Sequence, residues 1–171
     1  MKIGIITDTH KKTKRAKKAI DLLLDEKVEF ILHAGDIVKE EVLKYLNEKI
    51  EYIAVFGNND LHLYDVINKY NLFDEPYRFK LANKTFKLMH YPQYMFPLDS
   101  DIIVYGHTHN IDITFNGKNL ILNAGEVCAR DHSFSTCMSL EIKKNEYIVT
   151  LFYRKIKTKK WKRKVKSFKV V

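Results

Sequence analysis

Residues 2–10 read Lys-Ile-Gly-Ile-Ile-Thr-Asp-Thr-His (KIGIITDTH), a β-rich apolar run that stops on a carboxylate and an imidazole. Ala16, Ala19, Ile20, Leu23 and Leu24 follow at helical spacing. EFILH (29–33) is a second strand, and Ile37, Val38, Val42, Leu43, Leu46 and Ile50 form the stripe of a second helix. YIAVF (52–56) is a third strand, and 61–73 reads as a short helix and loop. Strand–helix–strand–helix–strand is the pattern of a parallel sheet with right-handed crossovers.

Beyond residue 76 the texture turns antiparallel. YRFKL and TFKLMH flank a polar turn in 77–90, and DIIVY (101–105) is a buried strand. IDITF and KNLIL (111–122) flank Asn116-Gly117, the dipeptide of a type I′ turn. MSLEI and EYIVTLFYRKI (138–156) form a further hairpin. The expected fold is α/β: two mixed β-sheets packed face to face, with helices outside.

The 171 residues form one expected domain, with 46% hydrophobic and 30% charged residues, which sets it apart from disordered chains. No apolar run reaches the roughly 18–20 residues needed to span a bilayer. KIGIIT lacks the sections of a signal peptide, so a cytoplasmic location without membrane contact is expected. Cys128 and Cys137 are too few for a disulfide framework and read as buried thiols. The net charge of +9 is concentrated: residues 152–171 carry ten cations and no acid, so the remainder sums to −1. A second basic cluster, KKTKRAKK, occupies 11–18.

The decisive pattern lies at the strand ends. Five apolar runs stop on Asp8-Thr9-His10, Gly35-Asp36, Gly57-Asn58-Asn59-Asp60, His90 and Gly106-His107-Thr108-His109. The carboxyl ends of parallel strands form the ligand crevice of open α/β sheets. Brought together, these ends supply oxygen and imidazole donors for more than one divalent ion, with no thiolate. Alone, each piece also reads as a turn, a cap or a hydrogen-bonded core histidine.

As a set, in this order, they resemble the motifs of the calcineurin-like metallophosphoesterases, specifically the small single-domain bacterial and archaeal phosphodiesterases. The resemblance covers residues 2 to about 142 and implies a four-layer αββα sandwich. It assigns Asp8, His10 and His109 to one metal, Asn58, His90 and His107 to another, and Asp36 to both. It further implies a dinuclear, metal-dependent phosphoric diester hydrolase that uses a metal-bridging hydroxide. Manganese is the expected ion, with iron, nickel or zinc as alternatives.

Several positions depart from the family pattern. Tyr91 and Pro92 follow His90 where glycine is common, and Asn59 stands where larger members carry a histidine that assists the leaving group. His62 is a replacement candidate, set against a plain surface histidine. Asp60 is expected to orient His10 or another ligand. The family's Asn-Pro-Gly-Ser turn appears as Asn123-Ala124-Gly125-Glu126, where the acid would be unhelpful to an anionic substrate unless it points away. With no evident acid, esters with good leaving groups are the expected substrates.

Two further readings stay open. Phe152, Tyr153, Trp161 and Phe168 interleave with the basic tail, a composition suited to nucleic acid and hence to a nuclease, or to a lysine-protected edge strand. A non-catalytic protein-binding scaffold is the other alternative. Tyr91, Tyr94, Met95 and Phe96 either pack on a partner, as in a homodimer, or cover the core.

Overall fold

The computed structural model describes residues 1–170; Val171, the last residue of the basic segment, lies outside the described residues. Strand β1 (Lys2–Ile6) leads to α1 (Thr13–Asp25), β2 (Phe30–His33), α2 (Glu40–Lys49) and β3 (Tyr52–Val55). A 3-10 helix (Leu61–Lys69) then precedes the short β4 (Leu72–Phe73). The region read as helix and loop thus also contributes a strand, which pairs parallel with β3. Next come β5 (Tyr77–Leu81), β6 (Lys84–Leu88), β7 (Ile102–Val104), β8 (Ile111–Phe115) and β9 (Leu120–Ala124). Strands β10 (Phe134–Lys143), β11 (Glu146–Lys155) and β12 (Lys162–Lys169) complete the chain.

Two mixed sheets result, ordered β12-β11-β10-β1-β2-β3-β4 and β5-β6-β7-β9-β8. The parallel half of the first is the β1–β3 pattern of the sequence, with β10 closing antiparallel on the other side of β1. Helix α1 turns Ala16, Ala19, Ile20 and Leu23 onto this sheet, and α2 turns Val42, Leu43 and Leu46. Glu40 and Glu41 in the first turn of α2 and Lys49 in the last complement its dipole. Between the sheets, Ile3, Ile5, Leu32 and Val55 meet Phe86, Leu88, Val104 and Leu122 in a second apolar layer.

The far face of the five-stranded sheet is covered more thinly than an αββα pattern implies. A single 3-10 turn (Pro92–Met95) and its loop place Met95 and Leu98 over Met89, Ile103, Tyr105 and Ile121. The buried Lys87 of β6 ties this loop down: its Nζ donates to Pro97 O at 2.6 Å and pairs with Asp99 Oδ1 at 2.6 Å. In this loop Met95 covers the core, while Phe96 is exposed.

Two local expectations need correction. Ile37 and Val38 precede α2; Val38 adopts a positive φ of 62° because its N–H and that of Ile37 are bound to the Asp60 carboxylate. Asn116-Gly117 does not form a type I′ turn, since only Gly117 has positive φ. The link is four residues long, with Asn116 Oδ1 accepting from the N–H groups of Lys118 and Asn119. The aromatics of the basic tail, for which two readings stood open, are engaged in packing. Phe152 is buried, Trp161 packs on the helix layer with Arg154 over its ring, and Phe168 contacts Phe115. Strand β12 is a lysine-rich edge, the form expected of a strand protected against edge-to-edge pairing.

Candidate metal centre

All seven sequence-predicted residues meet where the carboxyl ends of β1, β2, β3, β6 and β7 converge across the two sheets. Asp8 Oδ1 lies 3.1 Å from His109 Nε2 and 3.7 Å from His10 Nε2. Asp36 reaches both ways: Oδ2 is 3.6 Å from His10 Nε2, and Oδ1 is 3.6 Å from His90 Nε2. His90 Nε2 stands 3.1 Å from Asn58 Oδ1 and 3.3 Å from His107 Nδ1. Asp36 therefore joins an Asp8–His10–His109 cluster to an Asn58–His90–His107 cluster. The first is buried; Asn58 and His107 open the second to solvent.

The backbone is strained to achieve this. Asp8, His10, Asp36, His107 and His109 all have φ between 45° and 65°. Non-glycine residues there are uncommon, and such strain gathers at functional sites. Two glycines answer a space requirement. A Cβ on Gly57 would stand 2.4 Å from Asp36 Oδ1, and one on Gly106 would stand 2.2 Å from Thr7 Oγ1. Both lie where a second backbone passes directly against a site residue.

The histidine tautomers are set by what lies behind each ring. His90 Nδ1 is 2.9 Å from the Ala34 carbonyl, which only accepts, so Nδ1 carries the proton and Nε2 offers a lone pair to the site. His109 Nδ1 faces the Glu126 carboxylate at 2.8 Å, leaving Nε2 toward Asp8. On Asp8, Oδ2 accepts from the Thr7 hydroxyl and the His107 N–H, whereas the buried Oδ1 has no hydrogen-bond partner. His10 Nε2 is likewise buried and unpartnered. Bare oxygens facing bare imidazole nitrogens repel unless a cation stands among them. The donor set thus fits divalent metal ions, with Asp8, His10 and Asp36 close enough to share one.

The protonation tendencies agree. The Asp8 carboxylate pushes His109 up to about 9 against the effect of burial, with Glu126 adding to the rise. Burial pushes Asp8 up, but His109, His90 and the Thr7 hydroxyl together hold it below its ordinary value. Burial lowers His10 and His107. This pocket therefore requires positive charge near Asp8 and keeps two of its imidazoles neutral, the form that binds metal.

Residues around this shell fix its geometry. Asp60 does not touch His10. It accepts from the N–H groups of Val38 at 2.7 Å, Gly57 at 2.8 Å and Ile37 at 3.1 Å, tying the β2 and β3 loops together. Asn59 holds Asp36: its N–H donates to Oδ1 at 3.0 Å and its Nδ2 to Oδ2 at 2.7 Å. Glu126 points away from the open site, collecting the N–H groups of Arg130, Asp131 and His132 while orienting His109. Glu75, unnoticed in the sequence, accepts from the N–H groups of His90 and Tyr91. A half-buried acid in the loop between β4 and β5 carries no periodic signal, so only the fold reveals it. His62 is exposed and its Nε2 lies 2.7 Å from Val38 O, lining a cleft beside His10.

His33 is a further buried imidazole at this end of β2, pushed down to about 3 by burial. It stays neutral in the fold but takes a proton near its ordinary pKa of 6.5 once unfolded. The unfolded state binds more protons between those values, so stability falls as pH drops through that window. Urea unfolding of the wild type should lose up to about 1.4 kcal/mol per pH unit more steeply than His33→Gln. Equal slopes would remove His33 as the source.

The sequence profile of the calcineurin-like phosphoesterase superfamily domain matches residues 1–145. The chain belongs to this superfamily. A phosphodiesterase of Methanocaldococcus jannaschii is 32% identical over 160 residues, covering 86% of this chain and 96% of that protein. A solved archaeal phosphodiesterase superposes with a TM-score of 0.74 at 27% identity, over 97% of this chain and all of that one. Vps29 of Chaetomium thermophilum reaches a TM-score of 0.80 over the whole chain and 96% of its own, at 12% identity, a likeness of fold alone. Two mixed sheets with few helices are thus the calcineurin-like phosphoesterase fold. Strands β11 and β12 lie beyond the residues that the superfamily profile matches.

Proposed function

We propose that this superfamily member is a phosphodiesterase that works with two divalent cations. Asp8, His10 and His109 would hold one, Asn58, His90 and His107 the other, and Asp36 would serve both. Bound ions supply Lewis acidity, neutralising charge on phosphoryl oxygens and lowering the pKa of water. The observation that carries this reading is that the buried, unpartnered Asp8 Oδ1 and His10 Nε2 face each other at 3.7 Å, with His109 and Asp36 beside them. The M. jannaschii relative, named a phosphodiesterase and matched along nearly its full length, supports the diester as substrate. Manganese is the ion proposed, with iron, nickel or zinc able to use the same donors.

This chain's own side chains divide the remaining work. Asn59 orients the shared carboxylate, so this position supports the centre and does not protonate the leaving group. Glu126 keeps His109 in the tautomer that presents Nε2. Replacing it by glutamine removes a charged acceptor from that ring, and such outer partners typically carry about 10–100-fold of metal affinity. Glu126→Gln should therefore weaken Mn²⁺ binding by about that factor in a chelator competition, and unchanged affinity would count against the assignment.

The direct test is hydrolysis of bis(p-nitrophenyl) phosphate by protein stripped of metal and titrated with Mn²⁺. Turnover that appears with metal is expected. Absence of turnover at demonstrated metal occupancy would reject the proposal and favour a scaffold role. Among the described residues no helix is long and apolar enough to cross a membrane.

A further inference from the structure

A half-open cleft of about 580 Å³ adjoins the centre on the His10 side. Its lining is Lys11, Lys12, Arg130, His62, Asn59 and Val38, with His10 and Cys128 toward the floor. No carboxylate lines it, and among the described residues no acid pairs with Lys11 or Lys12. Arg130 engages Asp131 through Nε at 3.0 Å, while its Nη2 lies 3.2 Å from His109 Nε2, directly at the candidate ligands. Opposite walls of the cleft are tied together: Arg15 of α1 donates to the Cys128 carbonyl, fixing the loop that carries Arg130 against the helix that follows Lys12.

This wall carries more charge than the proposed reaction needs. A simple phosphodiester has one negative charge, which the metal centre already meets. Lys11 and Lys12, with no acid paired to either, together with Arg130, which shares its charge with Asp131, form a place for additional anionic charge. Its volume is that of a small-molecule site. We infer that the cleft formed by Lys11, Lys12 and Arg130 binds a second phosphoryl group of the substrate, adjacent to the diester that is cleaved. The inference rests on the phosphodiesterase reading and narrows its substrate class to phosphorylated nucleotide-like diesters.

The test compares two esters with the same leaving group on the Mn²⁺-loaded protein: thymidine 5′-(p-nitrophenyl phosphate) and its 3′-phosphorylated counterpart. The 3′-phosphorylated ester should show kcat/KM higher by about tenfold or more, the worth of one charge-assisted contact. That preference should fall to near unity in the Lys11→Gln, Lys12→Gln, Arg130→Gln triple variant, and persist in Lys80→Gln, which removes an exposed lysine from β5. Equal kcat/KM for the two esters in the wild type would overturn the inference. Should the triple variant fail to fold, Lys11→Gln alone, an exposed change, should still lower the preference.

Binding supplies a readout independent of turnover. By calorimetry, thymidine 3′,5′-bisphosphate should bind the wild type about tenfold more tightly than thymidine 5′-monophosphate. That difference without hydrolysis of either ester would keep the subsite and reject the phosphodiesterase reading. Hydrolysis without it would do the reverse. Thymidine 5′-diphosphate binding more tightly than the bisphosphate would assign the cleft to anhydride-linked phosphates, and the opposite order to a polynucleotide backbone.

Discussion

Asp36→Asn should abolish nearly all hydrolysis while leaving the chain folded. The substitution keeps the size of the side chain but removes its charge and one of the two acceptors that reach His10 and His90. It also places an amide nitrogen where one of Asn59's two donors now finds a carboxylate oxygen. If Asp36 serves both ions, its loss loosens both. Bound metals supply several kcal/mol of barrier lowering, and each 1.36 kcal/mol is tenfold in rate, so kcat should fall by about a thousandfold or more. The measurement is turnover of bis(p-nitrophenyl) phosphate at saturating Mn²⁺, with the urea midpoint as the check on folding. Loss below about tenfold would mean that Asp36 does not bridge the centre.

Asp60→Ala should act through stability. Its buried carboxylate satisfies three backbone N–H groups from the loops after β2 and β3, and no neighbouring acceptor replaces it. An unsatisfied buried donor costs about 1–3 kcal/mol, so three should together lower unfolding free energy by about 3 kcal/mol or more. With an m-value of about 2 kcal/mol/M, the urea midpoint should drop by about 1.5 M. Burial pushes the Asp60 carboxyl up, and the N–H groups of Gly57, Val38 and Ile37 work against that rise. Asp60→Asn keeps one oxygen acceptor and should lose less. Equal losses in the two variants would show that packing, and not the N–H groups, sets the cost.

The contrast between these aspartates marks what the sequence made legible. Asp36 was readable because it ends an apolar run with glycine before it, and five such endings fall in one order along the chain. Strand periodicity places those runs and a parallel arrangement gathers their ends at one edge, while the choice of the seven candidate ligands among those ends came from the resemblance to the calcineurin-like motifs. Asp60 was noticed, but its partner was misassigned, because local sequence does not show that the β2 and β3 loops cross. Glu126 looked out of place beside an anionic substrate; the fold turns it inward onto His109 and three amides. The tail's packing was likewise not legible. Its alternation of aromatic and basic residues suited nucleic acid, but the fold packs Phe152 and Trp161 on the helix layer and Tyr153 and Phe168 between the sheets.

The two sheets were legible for a similar reason. Alternation and turn residues mark hairpins well, as with Tyr77–Leu81 and Lys84–Leu88. The Asn116-Gly117 turn was not, since Asn116 uses its side chain to cap a wider loop. Tertiary packing around Leu98 and Ser100, which accept from Asn119, sets that loop length.

The number of manganese ions bound per chain tests the central claim most directly. Free Mn²⁺ gives an electron paramagnetic resonance signal that falls as ions bind, so titrating metal-stripped protein counts sites without reference to substrate. Two ions should bind the wild type, and one each should bind His109→Ala and His90→Ala, because those residues sit in different clusters that share Asp36. A single ion in the wild type, or two retained in both variants, would contradict a dinuclear centre built on these residues.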